Sequence, residues 1–221
     1  MKLTVFNGSG RGVKSNTTLL MKPFMQGFES VSGGDVRMLY LSPHPEKQPV
    51  QEFTKADFVV LAFPLYVDSM PGMVKDFIEQ LQPHCGREGN PTLGFVIHCG
   101  FPEALHLRYL ERYLEKLARR LGCPYAGCVV RGGTEGIQIM PEKMTRSLFI
   151  QMYNLGASLA TQGVMEPALI KKAAGRERYP AGTGIILAVL SKMGVINGYW
   201  DESLKKNNVF SDRYARPYAD E

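Results

Sequence analysis

The sequence lacks a long hydrophobic run. The apolar runs in its 221 residues, such as Gly184 to Leu190, are far below the roughly 20 residues that cross a bilayer. The opening residues Lys2 to Phe6 are typical of a strand and lack the apolar segment of a signal peptide. We therefore expect a cytoplasmic protein without a membrane span.

Metal-ligand spacings and hydrolase motifs are also missing. No second pair of cysteines or histidines completes a zinc or cluster site, so we expect no metal and four reduced, mostly buried thiols. The four are Cys85, Cys99, Cys123 and Cys128. No paired carboxylates, Ser-His-Asp order or HExxH helix appear, and there are no internal repeats. The side chains therefore offer little catalytic machinery of their own.

Positive charge is concentrated near the end of the chain. Residues 171–216 hold nine Lys or Arg and four Asp or Glu, a net charge of +5 that equals that of the whole chain. Such a segment could meet nucleic acid, an anionic membrane or the phosphates of a nucleotide substrate, or it could be a solvated surface. No run of basic residues exceeds two, which favours the solvated surface and no nucleic-acid partner.

Strands alternate with helices through most of the chain. Apolar runs predict strands at Lys2–Phe6, Val36–Leu41, Asp57–Phe63, Thr92–His98 and Tyr125–Arg131. Helices are predicted at Ser15–Glu29, Pro71–Leu81, Glu103–Leu121 and Lys143–Thr161. This alternation predicts an α/β fold, with a parallel sheet covered on both faces.

The segment after about residue 165 breaks this rhythm. We expect residues 166–221 to form a C-terminal extension that is partly helical around Thr183–Met193. Its aromatic residues Trp200, Tyr214 and Tyr218 stand in an otherwise polar tail. Aromatic residues are enriched at interfaces, so the tail could cover a neighbouring subunit's site or a dimer surface.

Three predicted loops leave the carboxyl ends of strands, where ligands bind to open parallel sheets. The first, Asn7 to Thr18, is rich in glycine and contains Arg11 before a helix start at Ser15. Glycines, a guanidinium and a helix amino terminus together favour a phosphate group. The alternative is a flexible turn in which Ser15 only caps the helix.

The other two loops mix apolar groups with backbone donors. Phe63 to Gly72 and His98 to Glu103 offer the stacking surfaces and amide hydrogen bonds that a flat heterocycle requires. The alternative is that Tyr66 and Met70 only cover the core. His98 is more typical of a satisfied polar residue near the core than of a catalytic one, and Cys99 of a small wall residue.

Two motifs carry a family resemblance. The pattern Gly8-Ser9-x-Arg11-x-x-x-Ser15-Asn16-Thr17, followed by Pro64 to Glu79, resembles the NAD(P)H-dependent FMN reductase family of flavodoxin-like proteins over residues 1–165. The resemblance implies a three-layer sandwich around a five-stranded parallel sheet of order 2-1-3-4-5. It also implies non-covalent FMN and electron transfer from NADH or NADPH to flavins, quinones or azo dyes.

The resemblance also implies which residues hold the cofactor. Residues expected at the phosphate are Ser9, Arg11, Ser15, Asn16 and Thr17. Residues expected along the ribityl chain and the ring are Pro64, Leu65, Tyr66, Val67, Cys99, Gly100 and Phe101. No side chain is expected to be catalytic, because N5 of the flavin takes the hydride and an acceptor then uses the same face in a ping-pong mechanism.

Further expectations concern an iron–sulfur cluster, the oligomeric state and two alternative functions. Residues 42–56 contain no cysteine, so the cluster of the family's iron–sulfur branch is not expected. A homodimer or tetramer is expected from the resemblance and from the apolar run 185–190. Two other functions stay open: an electron carrier that docks a redox protein, and a non-catalytic binding module. Such carriers are usually acidic, whereas this chain has a pI of about 9.0.

Overall fold

Five parallel strands form the centre of the structure, in the order β2-β1-β3-β4-β5. The computed structural model describes residues 1–42, 48–194, 197–216 and 218–219. The strands are β1 (Lys2–Asn7), β2 (Asp35–Tyr40), β3 (Phe58–Pro64), β4 (Thr92–His98) and β5 (Tyr125–Arg131). The predicted fold class, the parallel sheet and its strand order are confirmed. Residues 195–196, 217 and 220–221 of the predicted extension lie outside the described part.

Helices connect the strands and follow the last one. Those in predicted positions are α1 (Asn16–Ser32), α3 (Gly72–Gln80), α4 (Arg108–Leu121), α5 (Glu142–Gln162) and α7 (Thr183–Lys192). Three short helices were not predicted: α2 (Pro49–Thr54), α6 (Pro167–Ala174) and α8 (Gly198–Lys206). Several boundaries differ from expectation by one or more residues. Pro71 precedes α3 as its N-cap, and Ala104–Leu107 forms a separate 3₁₀ turn before α4.

The sheet has an apolar core on each face. Side chains of α1 and α5 pack on one face against residues such as Val5 and Val60. Side chains of α2, α3 and α4 pack on the other face against residues such as Phe6 and Leu61. Neighbouring residues of each inner strand therefore point into different cores, as the period of two in a strand requires. This is why β1 and β3 are apolar on both faces.

Helices α1 and α5 approach each other through a reciprocal pair of glycines. A Cβ atom added to Gly27 would lie 1.9 Å from the carbonyl oxygen of Tyr153, and one added to Gly156 would lie 1.9 Å from that of Phe24. Only a residue without a side chain permits this approach at either position. The contact fixes α1, and with it the start of the helix at the carboxyl edge of the sheet.

The chain forms two compact units, Met1–Arg178 and Tyr179–Glu221. The first unit includes α6, which the sequence assigned to the extension. Helix α6 covers the edge strand β5, where Ile170 packs over Gly127 and Arg131 Nη1 donates to the Ala173 carbonyl at 3.1 Å. Covering an edge strand protects its unpaired backbone groups.

The second unit contains α7 and α8. On α7, Ile185, Ile186 and Val189 are exposed. Among the helices that the structure describes, none combines the length and apolarity needed to cross a membrane.

The glycine contact generates a stability prediction. We expect Gly156→Ala to lower the free energy of unfolding by about 1–3 kcal/mol, because the added methyl group meets backbone atoms that cannot rotate away. Gly72→Ala is the matched control, since a Cβ atom there meets nothing within 4 Å; its effect should stay within about 0.5 kcal/mol. Urea unfolding followed by circular dichroism measures both, and equal effects would contradict the contact.

Candidate functional site

The loops that leave β1, β3 and β4 meet at the carboxyl edge of the sheet, where the strand order reverses between β1 and β3. They line a cavity of about 250 Å³. Eight of the twelve predicted site residues line it: Ser9, Arg11, Asn16, Pro64, Leu65, Tyr66, Cys99 and Gly100. The other four, Ser15, Thr17, Val67 and Phe101, are not among its lining residues.

Three lining residues were not predicted to bind a ligand: His98, Thr134 and Glu135. Thr134 and Glu135 follow the Gly132-Gly133 pair at the end of β5. Strand β5 lies beside β4, so its exit loop reaches the same edge as the other three. The position of β5 beside β4 was the signal that could have identified Thr134 and Glu135, because these residues match no motif.

A buried hydrogen-bond chain crosses the floor of the cavity. Thr134 Oγ1 lies 2.9 Å from the carbonyl oxygen of Cys99 and 2.8 Å from His98 Nδ1. A carbonyl oxygen only accepts, so the Thr134 hydroxyl donates to it and His98 Nδ1–H donates to Thr134. His98 Nε2 then accepts from Thr17 Oγ1 at 2.8 Å. These hydrogen bonds therefore fix the tautomer of His98 and point the hydroxyl hydrogen of Thr17 toward His98 Nε2.

The His98 ring is neutral in this environment. It is only 3% exposed, and burial lowers its pKa to about 4, with a smaller contribution from the charge of Arg11. A neutral ring has one donor and one acceptor nitrogen, and both are bonded here. His98 is thus a satisfied polar residue at the floor of the site.

The Ser15 hydroxyl also forms its hydrogen bonds within the protein. Its Oγ accepts from the Thr18 backbone N–H at 3.1 Å, which makes it the N-cap of α1. Thr18 Oγ1 donates to the Gly12 carbonyl, so the Ser15 hydroxyl donates to Thr18 Oγ1 at 3.1 Å. Ser15 and Thr17, two of the five predicted phosphate ligands, therefore shape the first loop and have no hydroxyl hydrogen facing the cavity.

Asn16 lines the cavity and has a buried hydrogen-bond acceptor. Its Nδ2 donates to the carbonyl oxygens of Thr134 at 2.8 Å and of Glu135 at 3.3 Å, which fixes the orientation of the amide. Its Oδ1 is buried and has no hydrogen-bond partner within the described part of the chain. Leaving a buried acceptor unpaired is costly, so this oxygen fits a ligand that brings a hydroxyl or N–H group.

Positive charge lies beside Asn16. The first turn of a helix has backbone N–H groups without helical partners and carries partial positive charge, and α1 begins at Asn16. The half-exposed Arg11 guanidinium lines the same cavity and lies 3.8 Å from the carboxylate of Glu135. Ser9 is buried there as well. This part of the cavity suits an anion.

The second loop forms a tight hairpin beside the cavity. Tyr66 and Ser69 exchange two backbone hydrogen bonds of 2.9 and 3.1 Å. The two residues between them, Val67 and Asp68, have φ angles of 47° and 61°. Val67 is 99% exposed at the tip, whereas Leu65 is buried and Tyr66 is partly exposed. The loop therefore brings Pro64, Leu65 and Tyr66 to the cavity and turns Val67 away.

The third loop forms the opposite wall. The Cys99 thiol is buried and donates to the Phe101 carbonyl, and burial raises the pKa of the thiol, so it stays protonated at neutral pH. The Phe101 ring packs on the His106 ring at a centroid distance of 4.5 Å and remains exposed. Cys99 and Gly100 thus line the cavity, and Phe101 presents an aromatic surface to solvent.

A larger cavity of about 700 Å³ lies elsewhere, between the carboxyl-terminal parts of α3 and α4. None of its lining residues follows a strand, and it has no buried unpartnered polar atom among the described residues. Among all the residues that the structure describes, no cluster of three or more His, Cys, Asp or Glu side chains could hold a metal ion. The smaller cavity is therefore the candidate site.

Comparison with known families agrees with this architecture. A family model described as a flavodoxin-like fold matches residues 1–146. A search of the curated proteins found no match.

Solved structures of similar fold include redox proteins. An NADPH-quinone reductase from P. pentosaceus is 18% identical, with a TM-score of 0.54 over 73% of this chain and 99% of that one. An FMN-dependent NADH-azoreductase from Bacillus anthracis, in complex with FMN, is 13% identical, with a TM-score of 0.56 over 72% and 100%. An archaeal flavodoxin is 14% identical, with a TM-score of 0.51 over 73% and 98%. At such identities the likeness concerns the fold.

The buried His98 ring generates a prediction about pH. Between pH 6.5 and about 4, the ring binds a proton in the unfolded chain only, so acidification favours unfolding. We expect this ring to cost up to about 3 kcal/mol of unfolding free energy across that window. The stability difference between the wild type and His98→Asn should therefore shrink as the pH falls from 7 to 4.5.

The control for this experiment is His84→Asn, because His84 lies in a partly exposed turn. The change of the stability difference with pH should be larger for His98→Asn than for this control. Urea unfolding at several pH values measures both variants. A difference for His98→Asn that does not change with pH would show that the ring is not held neutral.

Proposed function

The chain belongs to the family of proteins with a flavodoxin-like fold, and from that premise we propose that it is an FMN-dependent oxidoreductase. The proposed reaction passes electrons from NADH or NADPH to a small acceptor such as a quinone or a flavin. The names of two similar structures, an NADPH-quinone reductase and an FMN-dependent NADH-azoreductase, support this class of reaction.

The observation that carries the proposal is the buried, unpartnered Oδ1 of Asn16, a residue that lines the cavity and begins α1. The acceptor fits a polyol hydroxyl, the helix terminus and Arg11 fit a phosphate, and the wall of Pro64, Leu65 and Tyr66 fits a flat ring. FMN combines these three chemical parts. Pockets that bury whole small-molecule ligands measure about 300–1,000 Å³, so this cavity would bury part of the cofactor.

We assign different tasks to the five predicted phosphate residues. Arg11, Ser9 and the backbone N–H groups at the start of α1 would bind the phosphate, and Asn16 would accept from the ribityl chain. Ser15 and Thr17 would act indirectly, because their hydroxyl hydrogens are used within the protein. Ser15 caps α1, and Thr17 ties the helix to His98.

When bound, FMN supplies the hydride chemistry. The protein's side chains would bind and orient it. His98 is neutral and Cys99 is a protonated, buried thiol, so neither offers a charged group for catalysis at neutral pH. The exposed rings of Tyr66 and Phe101 leave an aromatic surface on the second and third loops. Such a surface suits a nicotinamide and an acceptor that bind in turn, as a ping-pong mechanism requires.

Absorbance and turnover test this proposal. The purified chain, or the chain after incubation with FMN and removal of unbound flavin by gel filtration, should show flavin absorption bands and should consume NADH or NADPH when a quinone is added. A chain that stays colourless after incubation with FMN would overturn FMN binding. A chain that binds FMN and oxidises neither nucleotide with a quinone, free FMN or oxygen would instead be a carrier.

Substitution of Arg11 should affect the binding of FMN more than it affects turnover. We expect Arg11→Ala to weaken FMN binding by about tenfold to a hundredfold, the range for one lost charge-assisted hydrogen bond. Turnover at saturating FMN should change less than twofold, because the guanidinium lies at the anion end of the site. Lys14→Ala is the matched control, since Lys14 is a neighbouring cation outside the cavity lining. Fluorescence titration measures the affinity, and an unchanged affinity in Arg11→Ala would contradict this role.

A further inference from the structure

Glu135 places a negative charge in the part of the cavity that suits an anion. Its carboxylate Oε1 lies 3.8 Å from Arg11 Nη1, and both side chains line the cavity. The pair joins the loop after β1 to the loop after β5. In the free protein, the guanidinium available for a phosphate is thus already paired with a carboxylate of the same chain.

The backbone around Glu135 is held against the first loop. Asn16 Nδ2 donates to the carbonyl oxygens of Thr134 and Glu135 at 2.8 and 3.3 Å. Gln138 Nε2 donates to the Lys14 carbonyl at 2.7 Å. Hydrogen bonds on both sides of Glu135 therefore keep its backbone beside the first loop, so the pair separates by rotation of the two exposed side chains.

The third loop leaves space for this side chain. A Cβ atom added to Gly100 would lie 3.4 Å from Glu135 Cβ and 3.7 Å from its Oε2. The carboxylate thus lies between Gly100 and Arg11, at the cavity wall. The two charged side chains are 50% and 46% exposed, so the pair is weak enough for a stronger anion to displace the carboxylate.

We propose that Glu135 competes with the ligand's phosphate for Arg11 and thereby sets how strongly the site prefers a phosphorylated flavin over an unphosphorylated one. This inference rests on the proposed FMN site. Binding of the phosphate breaks the Arg11–Glu135 pair and brings two like charges, carboxylate and phosphate, into the same cavity. Both effects lower the affinity for FMN, and neither acts on riboflavin, which has no phosphate.

The test compares Glu135→Gln with the wild type in titrations with FMN and with riboflavin. Glutamine keeps the shape and removes the charge, so we expect the dissociation constant of FMN to fall about threefold to tenfold and that of riboflavin to stay unchanged. The gain should shrink at high salt, because screening weakens exposed charge pairs. Glu142→Gln, an exposed acid on α5 outside this cavity, is the matched control and should change neither.

A second background tests whether Glu135 acts through Arg11. In Arg11→Ala, the gain in FMN affinity from Glu135→Gln should fall to less than half of that in the wild type. Equal gains in the two backgrounds would overturn the competition. Weaker binding of both flavins by Glu135→Gln would also overturn it, because the carboxylate would then be accepting a hydroxyl or N–H group of the flavin.

Inorganic phosphate separates this inference from the proposed function. If the wild type binds neither FMN nor riboflavin, the proposed function fails, but phosphate still probes the anion site. Glu135→Gln should then gain more thermal stability from added phosphate than the wild type gains. An equal or smaller gain would overturn the role of Glu135, whether or not FMN binds.

Discussion

The hydrogen bond between His98 Nε2 and Thr17 Oγ1 is the interaction on which the candidate site depends. At 2.8 Å, it joins the end of β4 to the first turn of α1. His98 Nδ1 continues the connection to Thr134, beyond β5, and Thr134 returns it to the Cys99 carbonyl. Three chain segments that are far apart in sequence are thereby held together by hydrogen bonds between buried groups. The cost of an unpaired buried polar group makes the arrangement specific.

The sheet and its long helices could be predicted because each leaves a periodic pattern. β4 and β5 were predicted with the boundaries that the structure has, since both are apolar runs between turn residues. The short helices α2 and α6 were missed, although each begins at a proline, which is common in a first helical turn. With six and eight residues, they are too short for a convincing period of 3.6.

The site could be predicted only in part, for a related physical reason. Sequence motifs indicate which residues reach the edge of the sheet, and eight of twelve do line the cavity. They do not indicate where a hydroxyl hydrogen points. Ser15 and Thr17 carry the right groups in the right loop, but Gly12 and Cys99 carbonyls decide the direction of their hydrogen bonds through Thr18 and Thr134. Glu135 follows no motif, and its relevance arises only when β5 is placed beside β4.

The hairpin of the second loop shows that local preference gives way at this edge of the sheet. Two consecutive residues with positive φ are typical of type I′ turns, which favour Asn-Gly, yet Val67 and Asp68 occupy them here. A β-branched residue in the left-handed region costs roughly 1–2 kcal/mol. Burial does not offset that cost, because the Val67 side chain is 99% exposed. The two hydrogen bonds between Tyr66 and Ser69 hold the turn, and strain of this kind concentrates where a loop must keep one shape for a ligand. The strained turn at Val67 and the unpartnered Oδ1 of Asn16 therefore have one property in common. Each costs free energy locally, and each lies on a loop that contributes to the cavity wall.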